Sequence, residues 1–289
     1  MILQCILQFH QLSTHYFSCH AALEAYGMAT MRNLPDPHPI FKLLRPHFRY
    51  TMAINARARA TLINDGGIID LLFAIGGKGK VELIQRASPL YSIDWTNIVK
   101  NTEERGVQNL PGYHYAEDGI PIWKATKKFA GEIIDHFYKT DEDVKDDKEL
   151  QSWAEDIHTN AFPGYFGGKD GHDFPKEISS KEQLTELCTL IMFTGSAQHA
   201  AVNFGQYVSY GFIPNSPATL RKPTPTKKGE ADYVTLMQTL PNEEDSGNQV
   251  VVSHLLSRYS DDEVCCKAVM VLSVICSIKI WSGLALIML

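Results

Sequence analysis

The sequence has no excess of basic residues: 27 Lys and Arg stand against 33 Asp and Glu, a formal net charge of −6. A nucleic-acid binder carries a basic footprint, so that class is set aside. It has no paired-cysteine spacing. Cys5, Cys19, Cys188, Cys265, Cys266 and Cys276 are scattered, which excludes a zinc ribbon and a disulfide scaffold and reads as free thiols in a reducing compartment. Its start, MILQCILQFHQ, lacks a basic n-region and a long apolar core and reads as a poor signal peptide. A cytoplasmic location is therefore expected. There is no internal repeat and no phosphate cradle: the glycine-rich run Ala74 to Lys80 lacks the GxxxxGK[ST] pattern and reads as a loop. Strand-type alternation is scarce throughout, so the fold reads as mainly α.

What is present is enough apolar residue for a core, 44% of 289 residues with 21% charged. That suits one large domain or two small ones. The first thirty residues suit a helix, and no proline occurs before Pro35. The proline-rich stretch Asn33 to Pro39 then breaks the chain. Further helical segments are expected over Ile54 to Leu62 and over Trp123 to Tyr138. In the second, Trp123, Phe129, Ile133, Ile134 and Phe137 are read as one apolar side. The charged run Asp141 to Glu149 and the Gly- and aromatic-rich stretch 160–174 read as loops. Ser180 to Gly205 is the strongest helix, capped by Ser179 or Ser180. Pro214, Pro217, Pro223 and Pro225 impose an extended path after it.

Eleven histidines are present, and their placement points to chemistry. His10, His15 and His20 recur every five residues. In an α-helix five residues advance about 500°, so such neighbours do not share a face. A π-type turn, with its i→i+5 bond, would bring two of them to one side, and such turns concentrate at functional sites. In the second constellation, His199 and Asn203 are four apart and do share a helical face. They lie in the most apolar helix, where a buried imidazole and amide need hydrogen bonds or a metal. A hydrogen-bonded core pair is the simpler reading of those two alone. Imidazoles with an amide oxygen suit Fe, Zn, Cu or Ni, and the donor set does not choose among them.

At these residues the chain resembles the catalytic domain of lipoxygenases. HQLSTHYFSCHAALEAYGMATMRNLP, HPIFKLLRPHFRYTMAINARARATLINDGGIID and FTGSAQHAAVNFGQY carry the resemblance, in the family's order, from about Phe9 to Ser257. DWTNIVK, DGIPIWKA and FPKEISSKEQL are similar to its animal branch. The resemblance implies a helical bundle around a long central helix and a non-haem iron cycling between Fe2+ and Fe3+. It implies His15, His20 and His199 as ligands, with Asn203 as a weaker oxygen ligand. Gln11 and Gln206 would support them, and His10 would not be a ligand. The implied activity is insertion of O2 into polyunsaturated fatty acids such as arachidonate. Hydrogen is taken from a methylene between two cis double bonds, and O2 adds to the radical to give a hydroperoxide. No side-chain base is implied, since that role belongs to a hydroxide held by the iron. Leu62 and Ile69 would clamp the pentadiene, Ala58 would favour S products, and Arg57 would meet the carboxylate. A hydroperoxide isomerase and a catalytically silent lipid- or partner-binding fragment are the alternatives.

The departures from the family are at the ends. Its N-terminal β-barrel has no counterpart, so residues 1–264 read as a partial catalytic domain with the central helix stripped of partners for Phe9, His10 and Phe17. Residues 265–289 form a divergent apolar tail with only Lys267 and Lys279 charged. No counterpart of the family's terminal Ile carboxylate, the fifth iron ligand, is assigned. The tail reads as a non-homologous end, as a membrane anchor, or as a helix packed into the core. As an anchor, about 22 residues would suffice to span, and Lys279 would cost about 2.5–3.5 kcal/mol near the centre.

Overall fold

A computed structural model describes residues 2–161, 173–223 and 225–258. The expectations for the tail 265–289, for its three cysteines and for most of 160–174 fall outside the described residues. Among the described residues every regular element is helical, and no helix is long and apolar enough to cross a membrane.

A continuous helix from residue 2 to residue 33 forms the axis. It runs as α-helix over Ile2–Phe9, as π-helix over His10–Ala21 and again as α-helix over Ala22–Asn33. Both junction residues, Phe9 and Ala22, keep right-handed helical dihedrals, so the helix widens without breaking. It ends where Leu34 turns extended before Pro35. Its buried residues Leu12, Phe17, Ala22 and Tyr26 belong to the main core, together with Trp153, Phe174, Leu184 and Phe193. Phe17 packs edge-on against Tyr91, and His10 bonds the Tyr210 hydroxyl. Of the three residues expected to lack partners, Phe9 is exposed while His10 and Phe17 are buried.

The Lys181–Phe193 helix packs along the His114–Phe137 helix and supplies much of this core. Ser180 caps it by accepting from the Gln183 N–H. It too widens, with π geometry over Thr194–Gln198 before a last α-turn, His199–Asn203. Gly195 allows that segment to approach its neighbours: a Cβ there would meet the His47 carbonyl oxygen at 2.8 Å and Leu23 at 3.2 Å.

Three expectations are corrected. The run Ala74 to Lys80 is not a loop, since the helix Gly76–Ala87 begins inside it. Gly76 supplies a left-handed entry (φ 63°), and packing of the helix against the central π-segment outweighs glycine's weak propensity. The run Asp141 to Glu149 contains one helix, Asp141–Asp146, and the start of another, Lys148–Asp156. Thr140 and Asp143 form a capping box, Asp147 caps the second helix, and acidic residues in the first turn favour the helix dipole. The third helix starts at His114 rather than Trp123, with Pro121 inside it. From Trp123, eleven residues bring Ile134 to about 20° from the same face, while six put Phe129 about 120° away. Accordingly Trp123 and Ile134 are buried, and Phe129 and the terminal Phe137 are exposed.

Candidate metal centre

The π-segment solves the spacing problem posed by the histidines. With one wider turn per five residues, His15 and His20 come to one side of the central helix. His199 arrives from the second widened helix. Their Nε2 atoms stand 3.2 Å (His15–His20), 3.0 Å (His20–His199) and 3.4 Å (His15–His199) apart. An ion about 2.1 Å from each nitrogen would set neighbouring ligands about 3 Å apart, so the triangle has the size of a metal site.

Protonation agrees with size. His15 donates from Nδ1 to Gln11 Oε1 (2.9 Å), and His20 donates from Nδ1 to Asn55 Oδ1 (2.9 Å). Both rings therefore carry their proton on the far nitrogen and turn a bare Nε2 lone pair inward. Burial, and then the neighbouring histidines, push His15 well below its ordinary pKa. Burial also lowers His20. Burial, followed by His20, lowers His199 to about 3. Neutral imidazoles are the metal-binding form. The bare lone pairs of His15 and His20 converge on His199 Nε2, and a cation is what such a set of neutral imidazoles accommodates.

Two hydrogen-bond chains lead away from the triangle. On one side Gln11 donates to Gln206 Oε1 (2.9 Å), and Gln206 donates to Asn203 Oδ1 (2.8 Å). The chain thus joins His15 to Asn203, one helical turn beyond His199, and leaves the amide oxygen a second lone pair. On the other side Asn55 donates to the His20 carbonyl (2.8 Å) and to Glu24 Oε2 (2.9 Å), and Arg59 grips both oxygens of Glu24 (2.6 and 2.9 Å). The sequence reading missed Asn55, Glu24 and Arg59. A usable signal existed: Glu24 lies one turn after His20, and Asn55 and Arg59 lie one turn apart on the facing helix Thr51–Thr61.

A cleft of about 480 Å³ opens beside the first chain. Leu62, Ile69, Leu72 and Phe73 give it apolar walls, and Gln11 and Gln206 line it where it meets the histidine network. The structure therefore brings Leu62 and Ile69 together with the two glutamines. Arg57 and Ala58 are not in its lining; Arg57 is exposed and Ala58 half-buried on the Thr51–Thr61 helix. His10 stays outside the triangle, its ring 6.4 Å from that of His15 and its Nδ1 bonded to Tyr210.

The described residues thus form a helical bundle in which two widened helices bring three histidines together beside an apolar cleft. The chain belongs to the lipoxygenase family, whose model matches residues 5–270. It is 42% identical over 258 residues to the allene oxide synthase-lipoxygenase protein of Plexaura homomalla, covering 88% of this chain and 24% of that protein. It is 38% identical to human hydroperoxide isomerase ALOXE3, covering 88% of this chain and 35% of that one. Identity is also 38% to human polyunsaturated fatty acid lipoxygenase ALOX15B, covering 88% and 37%. Among solved structures, an anaerobic crystal structure of a LOX protein in complex with arachidonate superposes with a TM-score of 0.84 at 41% identity, covering 89% of this chain and 38% of that one. The chain spans between 24% and 38% of the length of these proteins.

Proposed function

We propose that the chain holds one non-haem iron ion and inserts O2 into a polyunsaturated fatty acid seated in the Leu62–Ile69 cleft. His15, His20 and His199 would be the nitrogen ligands and Asn203 the weaker oxygen ligand. The observation that carries this reading is the triangle of converging Nε2 atoms 3.0–3.4 Å apart, those of His15 and His20 bare. Bound iron supplies the one-electron couple that the oxygenation of a pentadiene needs.

The chain's own residues do the rest. Gln11 and Asn55 hold the Nδ1 protons of His15 and His20 and so fix which nitrogen faces the metal. The walls at Leu62, Ile69, Leu72 and Phe73 exclude water and take the apolar chain of the acid. Gln206 touches both this cleft and Asn203, so occupancy of the cleft can be felt at the amide ligand. Arg57, exposed on the Thr51–Thr61 helix, would meet the carboxylate, and Ala58 would favour S products. A cytoplasmic site of action is supported by the unpaired Cys5, Cys19 and Cys188; contact with a membrane through residues 265–289 is the alternative.

The test is bound iron and conjugated-diene absorbance with arachidonate, on the purified chain. One iron per chain with diene formation supports the reading. Neither iron nor diene overturns it and leaves the silent lipid- or partner-binding alternative. The identity to a protein named hydroperoxide isomerase favours a second reading. Consumption of a fatty-acid hydroperoxide without O2 uptake would select it.

A further inference from the structure

The wall of the cleft rests on one buried charge that neither the metal centre nor the substrate contacts explain. Lys80, on the Gly76–Ala87 helix, is 3% exposed. Its ammonium reaches Asp70 Oδ1 (2.6 Å), the Ile63 carbonyl (2.7 Å) and the Asn64 carbonyl (3.2 Å). The ammonium thus donates to two carbonyls and forms an ion pair with a carboxylate, all on the segment 62–70. Asp70 answers by accepting from the Gly66 N–H (2.9 Å) through Oδ2. Gly66 is left-handed (φ 71°), and a Cβ on Gly77 would meet Asp70 Oδ2 at 2.8 Å, so both glycines are shaped to this contact. The segment closes on itself when the Ile69 N–H donates to the Leu62 carbonyl (3.0 Å). Leu62, Ile68 and Ile69, at its two ends, are cleft wall.

A buried lysine is costly unless paired and hydrogen-bonded. Here Lys80 has one ion pair and two carbonyl acceptors, and together they span the two ends of the segment. The Gly76–Ala87 helix itself packs on the π-segment that carries His15 and His20. Lys80 therefore ties the cleft wall to the same element that presents the metal ligands.

We infer that Lys80 is a positioning residue that fixes the Leu62–Ile69 wall and so sets how tightly and in which register an apolar chain is held beside the metal. This rests on the cleft being the fatty-acid site. Lys80 touches neither the histidines nor the cleft, so its loss acts on substrate binding and not on iron.

The experiment compares the full chain with its Lys80→Met variant by anaerobic arachidonate binding, by bound iron and by hydrogen exchange. The expected result is about tenfold weaker arachidonate binding, the worth of one charge-assisted hydrogen bond, with iron content unchanged. Exchange should accelerate at the Gly66, Gly67 and Ile69 amides while the central helix stays protected. If the chain oxygenates arachidonate, KM rises with kcat nearly constant, and the mixture of positional products broadens. If it does not, the oxygenase reading fails by itself, and binding and exchange still judge Lys80. Should Lys80→Met fail to fold, Asp70→Asn keeps the carbonyl contacts and should weaken binding by a smaller factor. Unchanged binding in a folded variant, loss of iron together with binding, or no arachidonate binding by the parent chain would each overturn the inference.

Discussion

Two groups of ligand-type side chains gather in this molecule, and they differ in what their atoms have left to do. His15, His20 and His199 form one; His38, Asp147 and Glu149 form the other. In each, one ligand atom per residue lies within 4.8 Å of the rest. In the second group both nitrogens of His38 are occupied. Nδ1 accepts from the Ile40 N–H (3.1 Å) as the cap of the helix Pro39–Leu44, and Nε2 donates to Asp147 Oδ2 (3.1 Å). Asp147 also accepts from the Tyr138 hydroxyl (2.6 Å) and the Leu150 N–H (3.0 Å). His38 and Asp147 are thus spent on structural hydrogen bonds. In the first group the outer nitrogens of His15 and His20 are occupied and the inner ones are not. Proximity alone does not make a metal site; unspent lone pairs do.

The largest expected effect breaks the first group. His199→Ala removes one of three imidazoles, so bound iron falls to background and diene formation ceases, as measured by metal analysis and absorbance. Next, Asn55→Leu removes the acceptor that fixes the His20 ring while leaving every proposed ligand in place. Iron affinity should fall by about 10–100-fold, the usual cost of losing an outer-shell partner, read by competition with a chelator. Arg59→Met should act in the same direction and more weakly, because it touches His20 only through Glu24 and Asn55.

The second group should respond in stability and not in iron. Burial opposes ionisation of Asp147, but hydrogen bonds from His38, Tyr138 and the Leu150 N–H overcome it and hold the carboxyl at about 2. The folded value lies below the unfolded one of about 3.9. The associated stabilisation, on the order of 2 kcal/mol, is therefore complete above about pH 4 and is lost as the pH falls toward 2. Asp147→Asn should lower stability near neutral pH by that order and flatten this acid limb in denaturant titrations at several pH values. Its iron content should equal that of the parent chain.

The same contrast explains what the sequence disclosed. The five-residue spacing of His10, His15 and His20 pointed to π geometry because an α-helix could not use it, and the central helix is widened over His10–Ala21. The second widening, Thr194–Gln198, left no such mark. It precedes a single histidine, so no spacing could reveal it. Family resemblance named His15, His20, His199, Gln11, Gln206, Leu62 and Ile69, yet not the polar residues behind His20. Glu24, Asn55 and Arg59 meet across 31 to 35 positions of chain, a distance at which no local period operates. The helices over Asp141 to Glu149 were misread for a different reason. Their caps are Thr140 with Asp143 and then Asp147, and a densely charged run hides capping carboxylates among solvated ones.

The most direct measurement of the central claim is iron stoichiometry by metal analysis of three purified proteins: the parent chain, His199→Ala and His38→Ala. One iron per chain in the parent and in His38→Ala, with none in His199→Ala, is the result predicted. A parent chain without iron, or a folded His199→Ala variant that keeps its full complement, would contradict it.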